Sequence, residues 1–241
     1  MYVKASKVLV TGANRGIGRA VVEVLLERDA ATVYAAARRP ETVADLAERD
    51  PRVVPVPLDL HDPAQLAAAA QLAADTTLLI NNAGALAFTD PLAGDLAEIE
   101  RDFQTNFYGT LAAARAFVPV LERNGGGAIV NVLSLVVFGS IPALAGYSAS
   151  KAAAASMTQA LRAQLAGRNI AVHAVFPGTI DTDMTRAFDM PKTSPAAAAR
   201  ALLDGLEAGQ ENIFPDPMSR GGYDSWRVDP SAFERQMSAI G

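Results

Sequence analysis

The chain has 241 residues with 21 basic and 26 acidic side chains, a net charge of −5, half its residues apolar, two histidines and no cysteine. Disulfides, thiolate nucleophiles and cysteine-held metal clusters are therefore excluded, a reducing cytoplasm is expected, and any redox chemistry has to come from a borrowed cofactor. The acidic balance argues against nucleic acid as a partner, and no apolar run approaches the roughly 20 residues that span a bilayer, which argues against a membrane.

In chain order, short β-branched runs alternate with longer alanine-rich segments of helical period, the pattern of repeated βαβ units and a parallel sheet. Lys7–Thr11 reads as the first strand and 17–28 as the helix after it, with Val21, Val22, Val24, Leu25 and Leu26 on its apolar face. Further strands are predicted at 32–37, 53–58, 78–81, 128–132 and 170–176, with a weaker one at 212–214. Helices are predicted at about 41–49, 63–74, 95–121, 146–166 and 195–208, and prolines 40, 63 and 195 stand where a helix begins, the position that tolerates their missing N–H. No linker or charge block divides the chain, so a single α/β domain over 1–241 is expected, a parallel sheet of about seven strands flanked by helices, ending in a polar tail at about 215–241.

Directly after the first strand comes Thr11-Gly12-Ala13-Asn14-Arg15-Gly16-Ile17-Gly18, leading into a helix. Such a loop lets backbone approach a pyrophosphate while free N–H groups and the helix dipole favour negative charge. About 20 residues further on, an acidic residue usually binds the ribose 2′-hydroxyl of NAD; here Ala37 holds that place and Arg38 and Arg39 follow it. Arg15 in the loop and Arg38 at the strand end are expected to grip a 2′-phosphate together, so the expected cofactor is NADP(H).

The segment Tyr147-Ser148-Ala149-Ser150-Lys151 opens a helix and sets Tyr147 and Lys151 on one face, four residues apart. A phenol works as an acid–base group near neutrality only if something stabilises its anion, and an adjacent ammonium near a helix N-terminus is suited to that.

With these segments in place, the chain resembles the short-chain dehydrogenase/reductase family over roughly residues 5–185. The resemblance implies a doubly wound Rossmann sheet and hydride transfer between a nicotinamide cofactor and a carbonyl or alcohol. It makes Gly12, Asn14, Arg15, Gly16, Ile17 and Gly18 the cofactor loop, and places Asp59 and Leu60 beside the adenine. Asn81, Ala83 and Gly84, in Asn81-Asn82-Ala83-Gly84, support the sheet and line the cofactor. Pro177, Gly178, Ile180 and Thr182 hold the nicotinamide. The same resemblance gives Asn106 a proton-relay water, and Ser134, thirteen residues before Tyr147, the substrate oxygen. Tyr147 becomes the proton donor, and Lys151 the residue that holds the ribose and lowers the tyrosine pKa.

A lid is expected at about 184–195, and Leu86, Leu135, Val136, Met184 and Phe188 form the expected apolar substrate pocket; the 135–138 run reads equally as ordinary core. His61 and His173 lack metal spacing, and no metal is expected; a Ser-His-Asp hydrolase gets no support. A homodimer through the helices at 95–121 and 146–166 is implied only by the resemblance, and the C-terminus departs from the family's tetrameric pattern. The expected function is NADPH-dependent reduction of a hydrophobic ketone or aldehyde. Oxidation of an alcohol would use the same residues, and loss of the chemistry would leave an NADP-binding sensor.

Overall fold

A computed structural model describes residues 3–240. Its strands are β1 (Lys7–Thr11), β2 (Thr32–Ala37), β3 (Val53–Pro57), β4 (Leu78–Asn81), β5 (Gly127–Val132), β6 (Ile170–Val175) and β7 (Asn212–Ile213), all parallel, in the order β3-β2-β1-β4-β5-β6-β7. The helices between them are α1 (Gly16–Glu27), α2 (Ala44–Arg49), α3 (Pro63–Leu72), α4 (Leu96–Phe103), α5 (Thr110–Arg123), α6 (Ala145–Leu165) and α7 (Pro195–Glu207). The chain is thus one doubly wound α/β domain, its strand order reversing between β1 and β4.

Alternation along each strand explains the layers. Val8 and Val10 of β1 face a core built with Val21 and Leu25 of α1 and Leu202 and Leu206 of α7. Leu9 faces the opposite core with Leu79 of β4, Ile129 of β5, and Phe117 and Leu121 of α5. Because both faces are covered, the strands read as nearly continuous apolar runs. Among the described residues no helix is long and apolar enough to cross a membrane.

Two expectations are corrected. The segment predicted as one helix at 95–121 is broken: α4 ends at Phe103, a π-helical turn occupies Gln104–Gly109, and α5 follows. Such a turn carries an i→i+5 hydrogen bond, which apolar periodicity cannot distinguish from ordinary helix. The polar tail is likewise two helices, α8 (Pro217–Val228) and α9 (Pro230–Ser238), with Asp216 and Asp229 as N-caps and a proline at the first position of each.

These last helices are docked. Phe233 and Met237 of α9 are buried against Leu135, Val136 and Tyr147. Tyr223 and Trp226 of α8 lie within 5.2 Å and 5.0 Å of Phe138, ring centre to ring centre. Asp216, 1% exposed, accepts hydrogen bonds from Ser219 N–H and from Gly178 N–H, both at 2.8 Å. The C-terminal helices therefore brace both the loop after β5 and the loop after β6.

Candidate active site

The glycine loop sits at the C-terminal end of β1, beside the point where the strand order reverses. Gly12 and Gly16 have φ of +65° and +54°, a left-handed backbone that favours glycine. A Cβ on Gly12 would fall 2.9 Å from Ala83 Cα, and one on Gly16 would fall 3.1 Å from Thr182 Cγ2. The loop is thus packed against the segment after β4 on one side and the segment after β6 on the other. Asn82 Nδ2 donates to the Thr11 and Gly12 carbonyls at 3.0 Å and 3.2 Å, and Thr11 Oγ1 accepts from Asn82 N–H and Ala83 N–H, both at 3.0 Å. No side chain caps α1, whose first turn holds no acid, so its N–H groups are left for a ligand. A pyrophosphate fits this turn by charge and by the room its glycines leave.

Other expected cofactor residues have varied surroundings. Arg38 is exposed with no partner among the described residues, while Arg15 crosses to Asp183 at 3.4 Å. Asp59 accepts from His61 N–H at 3.0 Å. The side chain of Leu60 is buried in the core against the Gly109 backbone, and Asn81 is tied sideways to Asn131 at 2.9 Å. Asn81 Oδ1 has no hydrogen-bond partner among the described residues. Ile180 is buried and bridges to Thr193, and Thr182 caps a short 3-10 turn, Asp183–Thr185.

Tyr147, Lys151, Ser134 and Asn106 converge. Ser134 ends the strand region of β5 and caps a 3-10 turn, Leu135–Val137, through Val136 N–H at 3.3 Å. Lys151 Nζ lies 5.8 Å from the centre of the Tyr147 ring and donates to the Val132 carbonyl at 2.8 Å. Asn106, in the π-turn, accepts from Ala85 N–H and donates to the Ala85 carbonyl and to Ser150 Oγ, each at 2.9 Å. Ser150 Oγ in turn donates to the Tyr147 carbonyl at 2.7 Å. The π-turn therefore aims Asn106 across the site at both the 84–87 segment and α6.

Burial dominates the electrostatics. It pushes the Tyr147 phenol up to about 12, against a hydrogen bond with Ser134 that pulls the other way, and pushes the Lys151 ammonium down to about 8. Desolvation thus sets the direction of both groups, and the Asp102 charge adds to the rise of the phenol. One consequence is measurable. A lysine whose folded pKa is below its ordinary 10.5 binds fewer protons folded than unfolded between about pH 8 and 10.5, so its contribution to stability rises with pH across that window. Denaturant titrations of the cofactor-free protein between pH 8 and 10 will show such a rise, on the order of 1.4 kcal/mol per pH unit at most. In Lys151→Met the rise will be absent.

The expected pocket residues divide. Leu86 and Phe188 are part-buried against the apolar cluster that contains Tyr147, and Phe188 meets the exposed ring of Phe88 at 5.5 Å. Met184 is part-exposed in the 3-10 turn after Thr182. Leu135 is core: a Cβ on Gly222 of α8 would fall 2.8 Å from it. Val136 lines a cavity of about 410 Å³ between α6 and the C-terminal helices, with Phe138, Trp226 and Glu234.

The family model described as short chain dehydrogenase matches residues 6–192. An uncharacterised oxidoreductase of Staphylococcus aureus is 31% identical over 216 residues, covering 86% of this chain and 93% of that protein. The ketoacyl reductase HetN of Nostoc is 31% identical over 221 residues, 83% of this chain and 75% of that protein. A short chain dehydrogenase from Burkholderia cenocepacia, solved in complex with NADP, superposes with a TM-score of 0.93 at 40% identity, covering 98% of this chain and 99% of that one.

Proposed function

Because the chain belongs to the short chain dehydrogenase family, we propose that it is an NADPH-dependent oxidoreductase that reduces an apolar ketone or aldehyde to an alcohol. The observation that carries the reductive reading is the Tyr147 phenol. Buried, hydrogen-bonded with Ser134 and with the Lys151 ammonium 5.8 Å from its ring centre, it carries its proton at neutral pH and is placed to give it to a substrate oxygen. The NADP-bound Burkholderia protein and the ketoacyl reductase from Nostoc support the same cofactor and the same class of reaction.

The bound dinucleotide supplies a hydride from the nicotinamide ring. The residues of the chain do the rest. The glycine loop would admit the pyrophosphate, and the segment from Pro177 to Thr182, whose Thr182 lies against Gly16, would hold the nicotinamide end. Ser134 donates a hydrogen bond to the substrate carbonyl oxygen and Tyr147 gives it a proton. Lys151 holds the ribose. With Asn106, on the same side of Gly84, it lines the route by which the phenol recovers a proton. Leu86, Phe188 and Phe88 offer the substrate an apolar wall, with Met184 at the lid. The chemistry described requires only one copy of the chain.

Arg15 and Arg38 are proposed to bind the 2′-phosphate, Arg15 exchanging its exposed contact with Asp183 for it. A charge-assisted, bidentate contact is worth more than a neutral hydrogen bond. Arg15→Ala with Arg38→Ala will weaken NADPH binding about 100-fold, roughly 2.7 kcal/mol, and leave NADH binding within about twofold. Equal losses for both dinucleotides, measured by calorimetry, would show that the arginines do not read the phosphate.

A further inference from the structure

Asp102 of α4 is fully buried, and no step assigned above uses it. Its Oδ2 accepts from Ala87 N–H at 3.2 Å, while Oδ1 has no partner among the described residues. A carboxylate so placed is costly unless positive charge stands nearby. The geometry of the 84–87 segment shows where that charge is. Asp102 and Asn106 are one helical turn apart, and they accept from Ala87 N–H and Ala85 N–H respectively. One face of the helix thus binds two N–H groups of the segment, those of Ala85 and Ala87.

The row continues to Gly84, where a Cβ would lie 3.2 Å from Asn106 Oδ1 and 3.6 Å from Lys151 Nζ. Ala87, bound to Asp102, and Gly84, beside Lys151, are three residues apart, a stretch of chain that spans at most about 10 Å. Lys151 is 4% exposed, and among the described residues it makes no ion pair. We propose that Asp102 is a positioning residue, the buried counter-charge that keeps the Lys151 ammonium protonated and so acts on the reaction through it. This deepens the reductase reading and rests on it only for the catalytic consequence.

Other titratable groups facing Asp102 are Arg101 and Glu98, paired with each other at 2.5 Å on the exposed side of α4, and Lys151 and Tyr147 from α6, the phenol being raised by the Asp102 charge; the 84–87 segment contributes none. Burial pushes Asp102 up, the Ala87 N–H and Arg101 pull it back, Glu98 pushes it up again, and Lys151 adds the smallest pull down. In return Asp102 holds Lys151 up against its own burial. For unit charges about 10 Å apart at an effective dielectric near 20, the coupling is roughly one pH unit.

The chain has four lysines, so ε-carbon-labelled lysine gives few NMR signals, with that of Lys151 identified by its loss in Lys151→Met. In the cofactor-free wild type this signal is expected to titrate near pH 8, and in Asp102→Asn about one pH unit lower, the other three unmoved. The alkaline limb of carbonyl reduction will move down by the same amount, with the KM for NADPH unchanged at pH 6. An unmoved Lys151 titration overturns the proposal. Should Asp102→Asn not fold, the reciprocal measurement decides: in Lys151→Met the Asp102 carboxyl carbon must titrate at higher pH, and an unchanged value overturns the proposal. A wild type that shows the lysine coupling yet reduces no carbonyl supports the counter-charge and sinks the reductase reading instead.

Discussion

Tyr147→Phe will lower kcat for carbonyl reduction by about 10³-fold while leaving the KM for NADPH within about twofold. The substitution removes one oxygen. The ring keeps its place against Leu135, Val136 and Phe233, so the packing that positions α6 is retained. What disappears is the group that delivers a proton to the substrate oxygen as negative charge develops there, and proton transfer by a placed side chain contributes about 10²–10⁴-fold. Ser134 remains to orient the carbonyl, which is why a residual rate is expected. A thermal melt within about 1–2 °C of wild type will show that the loss is chemical. Full activity in this variant would mean that another group supplies the proton.

The largest structural effect is expected at Gly18. A Cβ there would fall well inside 3.0 Å of the Gly12 carbonyl oxygen and of Asn82 Nδ2. The first is backbone of the glycine loop, and the second is the amide that ties that loop to the segment after β4. Neither yields cheaply, because Gly12 is itself wedged against Ala83. Gly18→Ala will therefore push the loop off the sheet, destabilise the fold by about 2–3 kcal/mol, and abolish measurable dinucleotide binding. Gly167→Ala is the matched control. Nothing lies within 4 Å of a Cβ at Gly167, and its stability change will stay within about 0.5 kcal/mol. Equal effects from the two substitutions would refute the close approach at Gly18.

Strands were the most legible part of the sequence. Lys7–Thr11, Thr32–Ala37 and Leu78–Asn81 coincide with β1, β2 and β4, because strands covered on both faces leave apolar runs with sharp polar ends. The prolines at 40, 63 and 195 mark helix starts as expected, the first of them a 3-10 turn, Pro40–Val43, leading into α2. The same signal, an aspartate followed by proline, stands at Asp216-Pro217 and Asp229-Pro230. Apolar periodicity does not mark these helices, because α8 and α9 are polar on balance and anchor through a few residues only, chiefly Phe233, Met237 and the aromatic contacts of Tyr223 and Trp226.

Tyr147 and Lys151 were legible as an i,i+4 pair, Ser134 and Asn106 came from the family resemblance, and the structure brings the four together. Their electrostatics did not follow from spacing. An i,i+4 pair shows that two side chains share a face, but it says nothing of how dry that face is, and dryness decides both pKa directions here. The π-turn that aims Asn106, and the burial of Asp102 one turn before it, depend on the register between α4 and the 84–87 segment, a contact distant in sequence.

The central claim is that this site moves hydride from NADPH to a carbonyl carbon. NADPH carrying deuterium at the transferring C4 position, mixed with purified protein and an apolar ketone, tests it in one step. One deuterium on the carbinol carbon of the alcohol, with one NADPH consumed per product, is the predicted result. Stoichiometric dinucleotide binding with no label in any product, across ketones and aldehydes of varied size, would contradict it.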